Sequence, residues 1–150
     1  ELRMSIHDLR DEGVTTGGLS AAIADAARRE AAHAGTAVHL RVADTPFRAS
    51  PAVETELYRI TQEALVNVRR HANASNVWVS CHAGPGGVAV SVEDDGVGLQ
   101  PGRPDSVGMA MMAERASRVG AQLEISPRPG GGTIVSLEYS PAWRRETQAQ

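Results

Sequence analysis

The sequence predicts an α+β two-layer sandwich, with about three helices packed on one face of a mixed sheet of about five strands. Three longer segments place apolar residues at helical spacing, and five shorter segments alternate apolar and polar residues as half-buried strands do. Glycine-rich turns connect the later strands in pairs, which favours hairpins over βαβ crossovers. The 150 residues are enough for one domain with a buried core.

The first third of the chain predicts a helix end, a hinge, a helix and a strand. Residues 2–10 place apolar side chains at helical spacing, and residues 11–18 interrupt that pattern with three glycines and two threonines. An alanine-rich helix is expected from Leu19 to about Ala34, ended by Gly35. Residues 38–42 then alternate as a short strand.

The clearest helical pattern runs from Pro51 to about His71. Ser50 is a suitable N-cap, and proline is well tolerated as the first helical residue. The apolar residues of this helix recur on one face, as expected for a helix that packs on a core. They are Val53, Leu57, Ile60, Ala64 and Val68.

The second half predicts two hairpins, a polar segment and a helix. Segment 95–107 is too polar and too rich in glycine and proline for packed structure, whereas residues 108–119 are helical and Gly120 ends that helix. The tail from residue 140 has no periodic pattern and is expected to fray. The hairpins pair residues 77–81 with 88–92 and residues 123–126 with 133–137.

Composition excludes several classes of function. A net charge of −3 argues against a dominant nucleic-acid-binding surface. All 15 basic residues are arginine, so the chain has neither the lysine of a Walker-type phosphate loop nor one for a Schiff base. Cys81, the single cysteine, lies in an alternating apolar run and is expected to be a buried thiol, which fits a reducing cytoplasm. No run of 18 apolar residues occurs.

One strip of the long helix has the residue types of a metal and phosphate site. Glu63, Asn67 and Arg70 are spaced i, i+4 and i+7, so they project from nearly one line beside the apolar stripe. Carboxylate and amide oxygens suit Mg²⁺, and a guanidinium suits phosphate oxygens. Taken alone, the strip favours a solvated helix face over a binding site.

Glycine-rich segments supply three further candidates. Asp94 and Asp95 end a strand before Gly96 and Gly98, where a carboxylate could accept a hydrogen bond from the exocyclic amine of adenine; the alternative is an ordinary strand-ending turn. Residues 106–109 begin a helix whose unsatisfied amides could bind an anion or could simply be capped. Residues 130–133 are otherwise a glycine-rich hairpin turn.

The order of these segments is more informative than any one of them. QEALVNVRRHA, EDDGVGL, SVGMAMMAERA and PGGGT resemble, in that order, the N box, the two glycine boxes and the closing Gly-Thr of the ATP-binding domain of two-component sensor histidine kinases. The Met-x-Glu-Arg that follows the second glycine box resembles the nitrate/nitrite-sensor-like subfamily. The resemblance implies the Bergerat, or GHKL, ATP-binding fold over roughly residues 2–139.

The resemblance also implies a role for each matching residue. Asn67 would ligate Mg²⁺, Glu63 would orient the phosphate-accepting histidine or a metal-bound water, and these two would be the catalytic residues. Asp94 would recognise adenine. The other implied ATP contacts are Arg70 and His71 near the phosphates, Gly96, Gly98 and Gly108 around the lid, Met109, and Thr133 near the adenine-binding aspartate.

Residues 95–107 would form a short ATP lid. The family usually has glycine where this chain has Ser106, and leucine where it has Met109. Both changes are expected to alter lid mobility or phosphate contact. The alternatives that share these boxes are an anti-sigma-factor-like serine kinase and an ATP-sensing module without phosphotransfer.

The resemblance predicts three parts: residues 1–12 as the stub of a dimerisation helix, 13–139 as the ATP-binding domain, and 140–150 as a tail. His7 precedes an aspartate but lacks the run that surrounds the acceptor histidine in this subfamily, so we expect the acceptor outside this chain. Expected partners are ATP, the protein's own dimerisation and histidine-phosphotransfer domain, and a response regulator, with no nucleic acid. The full-length parent would be a homodimer, this chain would be the cytosolic portion of a sensor that could be membrane-anchored, and the fragment itself could be a monomer.

Overall fold

The computed structural model describes residues 17–42, 49–84, 86–99 and 105–141. The predicted helix end at 2–10, His7, most of the hinge and the end of the tail lie outside the described residues. The described elements are α1 (Gly17–Ala34), β1 (Ala37–Val42), α2 (Pro51–Asn67), a π-helical turn (Val68–Ala72), β2 (Asn76–Gly84), β3 (Gly87–Asp94), α3 (Asp105–Val119), β4 (Gln122–Pro127) and β5 (Thr133–Tyr139).

These elements confirm the predicted α+β two-layer fold with a five-stranded mixed sheet in the order β1-β2-β3-β5-β4. The two hairpins, β2–β3 and β4–β5, are antiparallel as predicted, and β3 also pairs antiparallel with β5. The expectation that hairpins rather than βαβ crossovers connect the strands is wrong between β1 and β2, because these two strands are parallel. Parallel neighbours need a crossover, and α2 provides it by returning the chain across the sheet.

The core lies between the helices and one face of the sheet. The predicted apolar stripe is buried throughout, with exposed fractions from 0% at Val53 in α2 to 8% at Val68, the first residue of the π-helical turn. Alternate residues of β2 and β3 face the same core. Cys81 is fully buried, as predicted; its Sγ lies 3.4 Å from Ser20 Oγ, and burial raises the pKa of the thiol.

Two helix boundaries differ from the sequence prediction. The long helix is α-helical only to Asn67 and continues as the π-helical turn, which ends before Asn73 in a left-handed conformation. The later helix begins at Asp105 rather than Gly108, so the last three residues of the expected lid, 105–107, are helical. Aspartate and serine are favourable at a helix start, which explains the earlier boundary. No helix in the described parts of the chain has the length and apolarity needed to span a membrane.

Candidate functional site

Asp94 is a buried carboxylate at the carboxyl end of β3, the central strand of the sheet. Its side chain is 5% exposed, and it lies in register with Val77 on one side and Thr133 on the other. The Gly96 amide donates a hydrogen bond of 2.8 Å to Asp94 Oδ1. Burial is the main cause that raises the pKa of Asp94, and the neighbouring Asp95 charge adds to it, although hydrogen bonds from the Gly96 and Thr133 amides act in the opposite direction.

A cleft opens between the helices and the sheet beside this carboxylate. Its volume is about 470 Å³ when the open space at its mouth is included. Most of its walls are apolar, and Asp94, Asn67 and Thr133 supply the polar side chains, which is typical of a site for an organic ligand. It is lined by Ala64, Asn67, Val68, Val92, Asp94, Gly98, Leu99, Met109, Met112, Ile125, Thr133 and Val135.

Glu63 and Asn67 meet the first turns of α3 at Gly108. A Cβ built on Gly108 would lie 2.5 Å from Glu63 Oε1 and 3.7 Å from Asn67 Nδ2. The two side chains, one turn apart on α2, therefore converge on one point of α3. A carboxylate and an amide fit a hard divalent cation, because Mg²⁺ typically takes only one or two protein ligands and completes its shell with phosphates and water.

The structure does not bring Arg70 into this group. Arg70 is exposed and is absent from the described lining of the cleft. The prediction that it shares one line with Glu63 and Asn67 assumed an unbroken α-helix, whereas the π-helical turn begins at Val68 and changes the angular spacing. His71 lies in the same turn, and its side chain is outside the described residues.

The remaining predicted residues surround Asp94 and the cleft. Gly96 hydrogen-bonds the carboxylate, while Gly98, Met109 and Thr133 line the cleft.

The assignment of Asp95 to an unpacked lid is wrong. Asp95 accepts hydrogen bonds from the Asn76 side-chain amide (2.9 Å) and from the backbone amides of Asn76 (2.8 Å) and Ser75 (2.9 Å). These bonds, the one from the Asn76 side chain foremost, lower the pKa of its carboxyl.

Sequence inspection missed much of the apolar lining. Ile125 and Val135 contribute from β4 and β5, and Met112 contributes from α3. Inward alternation in the strands and helical spacing after Met109 were the available signals. They indicate a buried face, but not that part of this face is left open as a cleft.

No group of three or more metal-ligating His, Cys, Asp or Glu side chains occurs within the described ranges.

The family described as histidine kinase-, DNA gyrase B-, and HSP90-like ATPase matches residues 52–142. The chain is 39% identical over 99 residues to the nitrate/nitrite sensor protein NarQ of Escherichia coli, a match that covers 64% of this chain and 18% of NarQ. It is 31% identical over 139 residues to the signal transduction histidine-protein kinase/phosphatase DegS of Brevibacillus brevis, covering 91% of this chain and 36% of DegS.

Solved structures share the fold. The histidine kinase domain of a blue-light activated histidine kinase from Erythrobacter litoralis matches with a TM-score of 0.74 and 20% identity, over 96% of this chain and 75% of that chain. The ATP binding domain of PrrB from Mycobacterium tuberculosis matches with a TM-score of 0.55 and 24% identity, over 77% of this chain and 91% of that one. At these identities the likeness shows the fold alone.

Proposed function

Because the chain belongs to the histidine kinase-, DNA gyrase B-, and HSP90-like ATPase family, we propose that it is the ATP-binding catalytic domain of a sensor histidine kinase. Its reaction would transfer the γ-phosphoryl group of ATP to a histidine on the protein's own dimerisation domain. The observation that carries the proposal is the buried Asp94 carboxylate at one side of an apolar cleft whose lining also includes Asn67.

Asp94 would recognise the base. A carboxylate can accept a hydrogen bond from the exocyclic amine of adenine, whereas guanine presents a carbonyl oxygen at the equivalent position. The apolar side chains of Met109 and Ile125 line the same cleft and suit the faces of a planar ring. A site built around one buried acceptor discriminates strongly, because the wrong base leaves that acceptor unpaired.

Asn67 and Glu63 would hold the phosphate end of the ligand. Asn67 would coordinate Mg²⁺, and Glu63 would act on a metal-bound water or orient the incoming histidine. Mg²⁺, when bound, would supply neutralisation of the phosphate charge. Phosphoryl transfer requires mainly positioning and charge stabilisation from the protein, which side chains of these types can supply. Gly96, Gly98 and Gly108 would allow the segment between β3 and α3 to adapt to the phosphates.

The chain spans 18% of the length of NarQ and 36% of DegS, so the remaining parts of the reaction belong to the whole protein. We place the ATP-binding domain at residues 13–139, between a dimerisation-helix stub at 1–12 and a tail at 140–150. The parent would be a homodimer whose kinase part lies in the cytosol. A response regulator would then receive the phosphoryl group from the phosphohistidine.

The test is an ATP titration of the 150-residue chain with and without Mg²⁺, followed by phosphotransfer to the separately supplied dimerisation domain of the parent. We expect Mg²⁺-dependent binding and acid-labile phosphate on that domain. Binding without transfer to the cognate histidine would favour an ATP-sensing module, and acid-stable phosphoserine on a substrate would favour a serine kinase. Absence of ATP binding would contradict the proposal, and labelling of His7 would overturn the assignment of the acceptor to another segment.

A further inference from the structure

Arg128, Glu93 and Trp78 contact one another on the sheet face opposite the helices, next to Asp94 along β3. We call this cluster of three side chains the brace. Arg128 Nε donates a hydrogen bond of 2.8 Å to Glu93 Oε2. The Arg128 guanidinium carbon lies 4.7 Å from the centroid of the Trp78 ring. Trp78 and Glu93 are register partners on β2 and β3. The contact therefore combines an ion pair with a cation–π interaction, which suits the planar guanidinium better than an ammonium.

The same arginine holds the glycine-rich turn between β4 and β5. Its Nη1 donates to the Gly131 carbonyl at 3.2 Å, and its backbone amide donates to the Gly132 carbonyl at 3.0 Å. The Gly131 amide in turn donates to the Arg128 carbonyl at 3.0 Å. Arg128 thus connects the conformation of this turn to the position of β3.

The turn is packed against the backbone of Asp94. A Cβ on Gly132 would overlap the Asp94 carbonyl oxygen, so the two main chains are in direct contact. A Cβ on Gly98 would lie 3.3 Å from the Gly132 carbonyl oxygen. Glu93, the brace carboxylate, is the residue before Asp94. A displacement of Arg128 would therefore move two supports of Asp94, the turn on one side and β3 on the other.

The opposite flank of Asp94 is tied to the same aromatic ring. Asn76 Nδ2 donates to Asp95 Oδ2 at 2.9 Å, and Asn76 Oδ1 is hydrogen-bonded to His39 Nε2 at 2.9 Å. The His39 ring stacks on Trp78 with centroids 5.4 Å apart and an interplanar angle of 18°. Trp78 is the point where the supports on both sides of Asp94 meet.

We propose that Arg128, acting with Glu93 and Trp78, is a positioning residue that fixes Asp94 and thereby sets the selectivity of the cleft for adenine over guanine. The inference rests on the proposed function, because it requires that the cleft bind ATP through Asp94. Arg128 does not line the described cleft, so its effect on the base would pass through Asp94 and through the turn that it holds. A loosely held carboxylate gains less from the adenine amine and repels the guanine carbonyl less, so the ratio of the two affinities must fall.

The test compares ATP and GTP affinities of the wild-type chain with those of Arg128→Met, which keeps an unbranched apolar stem over Trp78 but removes the charge and the donors. We expect ATP affinity to fall about tenfold and the ATP/GTP affinity ratio to fall by about threefold or more. Arg28→Met is the matched control and should keep both values, because among the described residues Arg28 forms just an exposed helical ion pair with Asp25 at 3.5 Å.

Glu93→Gln provides a second route should Arg128→Met fail to fold, because it keeps the shape of the side chain and removes only the ion pair. It should lower the ratio in the same direction, and the double variant should lose less than the sum of the two single losses. Wild-type affinity and selectivity in both variants would overturn the inference while leaving the proposed function intact. An equal fold-loss of ATP affinity and GTP affinity would also overturn it, because the three side chains would then stabilise the structure without affecting selectivity. A wild-type chain that binds no ATP would instead refute the proposed function itself.

Discussion

The carboxylate of Glu63 lies against the backbone of Gly108, so close that a Cβ at this position would stand 2.5 Å from Glu63 Oε1. The two residues belong to different helices, α2 and α3, and this contact places the N-box strip at the end of the lid segment. The absence of a side chain at Gly108 leaves the space that the Glu63 carboxylate occupies. Gly108 has no positive φ, so backbone strain is not the reason.

Gly108→Ala should therefore lower the affinity for Mg²⁺-ATP while leaving the stability of the fold nearly unchanged. Alanine is favoured over glycine in a helix by about 1 kcal/mol, which offsets the displacement of one flexible carboxylate, so the melting temperature should change little. Displacement of Glu63 beside Asn67 should lower the affinity for Mg²⁺-ATP by about tenfold, measured by calorimetric titration. Gly86→Ala is the control, because a Cβ there meets nothing within 4 Å. Equal Mg²⁺-ATP affinity in the two variants would contradict the placement of Glu63 in the site.

Asn67→Ala tests the proposed metal ligand. Asn67 is only partly buried and lies outside the apolar stripe, so its removal should leave the circular dichroism spectrum and the melting temperature close to wild type. Mg²⁺-dependent ATP binding and phosphotransfer should be lost, because an alanine offers no oxygen ligand. Gln62→Ala, on the same helix and also partly buried, should retain both. Full Mg²⁺-dependent activity in Asn67→Ala would refute the assignment.

Local sequence patterns predicted the elements and the residues around the cleft but not how distant segments meet. The buried stripe of α2 follows from helical periodicity alone, and the order of the glycine boxes located Asp94. Periodicity does not reveal the direction of a strand's partner, so the parallel pairing of β1 with β2 was missed. The brace was missed for a related reason. Arg128 and Glu93 are 35 residues apart, and neither residue type is unusual at a strand end.

The π-helical turn after Asn67 is a further limit of sequence patterns. VRRHA has no glycine or proline to indicate a change in helix type, so an α-helix was expected to continue to about His71. The consequence for the site is concrete. Residues as far as Asn67 keep the predicted angular positions, whereas Arg70 lies beyond the change and is exposed.

Asp94→Asn should stabilise the fold while removing function. The folded-state pKa of Asp94 is raised above the ordinary value of 3.8, so the folded chain binds this proton more tightly than the unfolded chain. The free energy of unfolding contributed by Asp94 therefore falls as pH rises from the unfolded to the folded pKa, and an uncharged amide avoids that loss. At pH 7 the melting temperature of Asp94→Asn should therefore lie above that of the wild-type chain. ATP binding should disappear.

The pH dependence offers a control for that prediction within the same protein. The pKa of Asp95 is lowered below 3.8, so its stabilising contribution is lost only as pH falls through that lower range. Asp95→Asn should therefore be destabilising at pH 7, opposite in sign to Asp94→Asn. Thermal melts of both variants between about pH 3 and pH 7 would show the two opposite slopes. Destabilisation by Asp94→Asn at pH 7 would contradict the assignment of burial as the dominant effect on this carboxyl group.

Gly131→Ala and Gly132→Ala form a matched pair that measures the contact between the glycine-rich turn and Asp94. Both residues have positive φ, 115° at Gly131 and 112° at Gly132, so either substitution should cost roughly 1–3 kcal/mol in backbone strain. Only Gly132 adds a steric cost, because its Cβ would overlap the Asp94 carbonyl oxygen, whereas a Cβ at Gly131 meets nothing within 4 Å. The difference between the two unfolding free energies, measured by urea denaturation, isolates that contact from the shared strain. Gly132→Ala should also lose ATP affinity beyond the loss in Gly131→Ala, since main-chain displacement at Asp94 moves the carboxylate. Equal stability and equal ATP affinity of the two variants would show that the turn does not support Asp94.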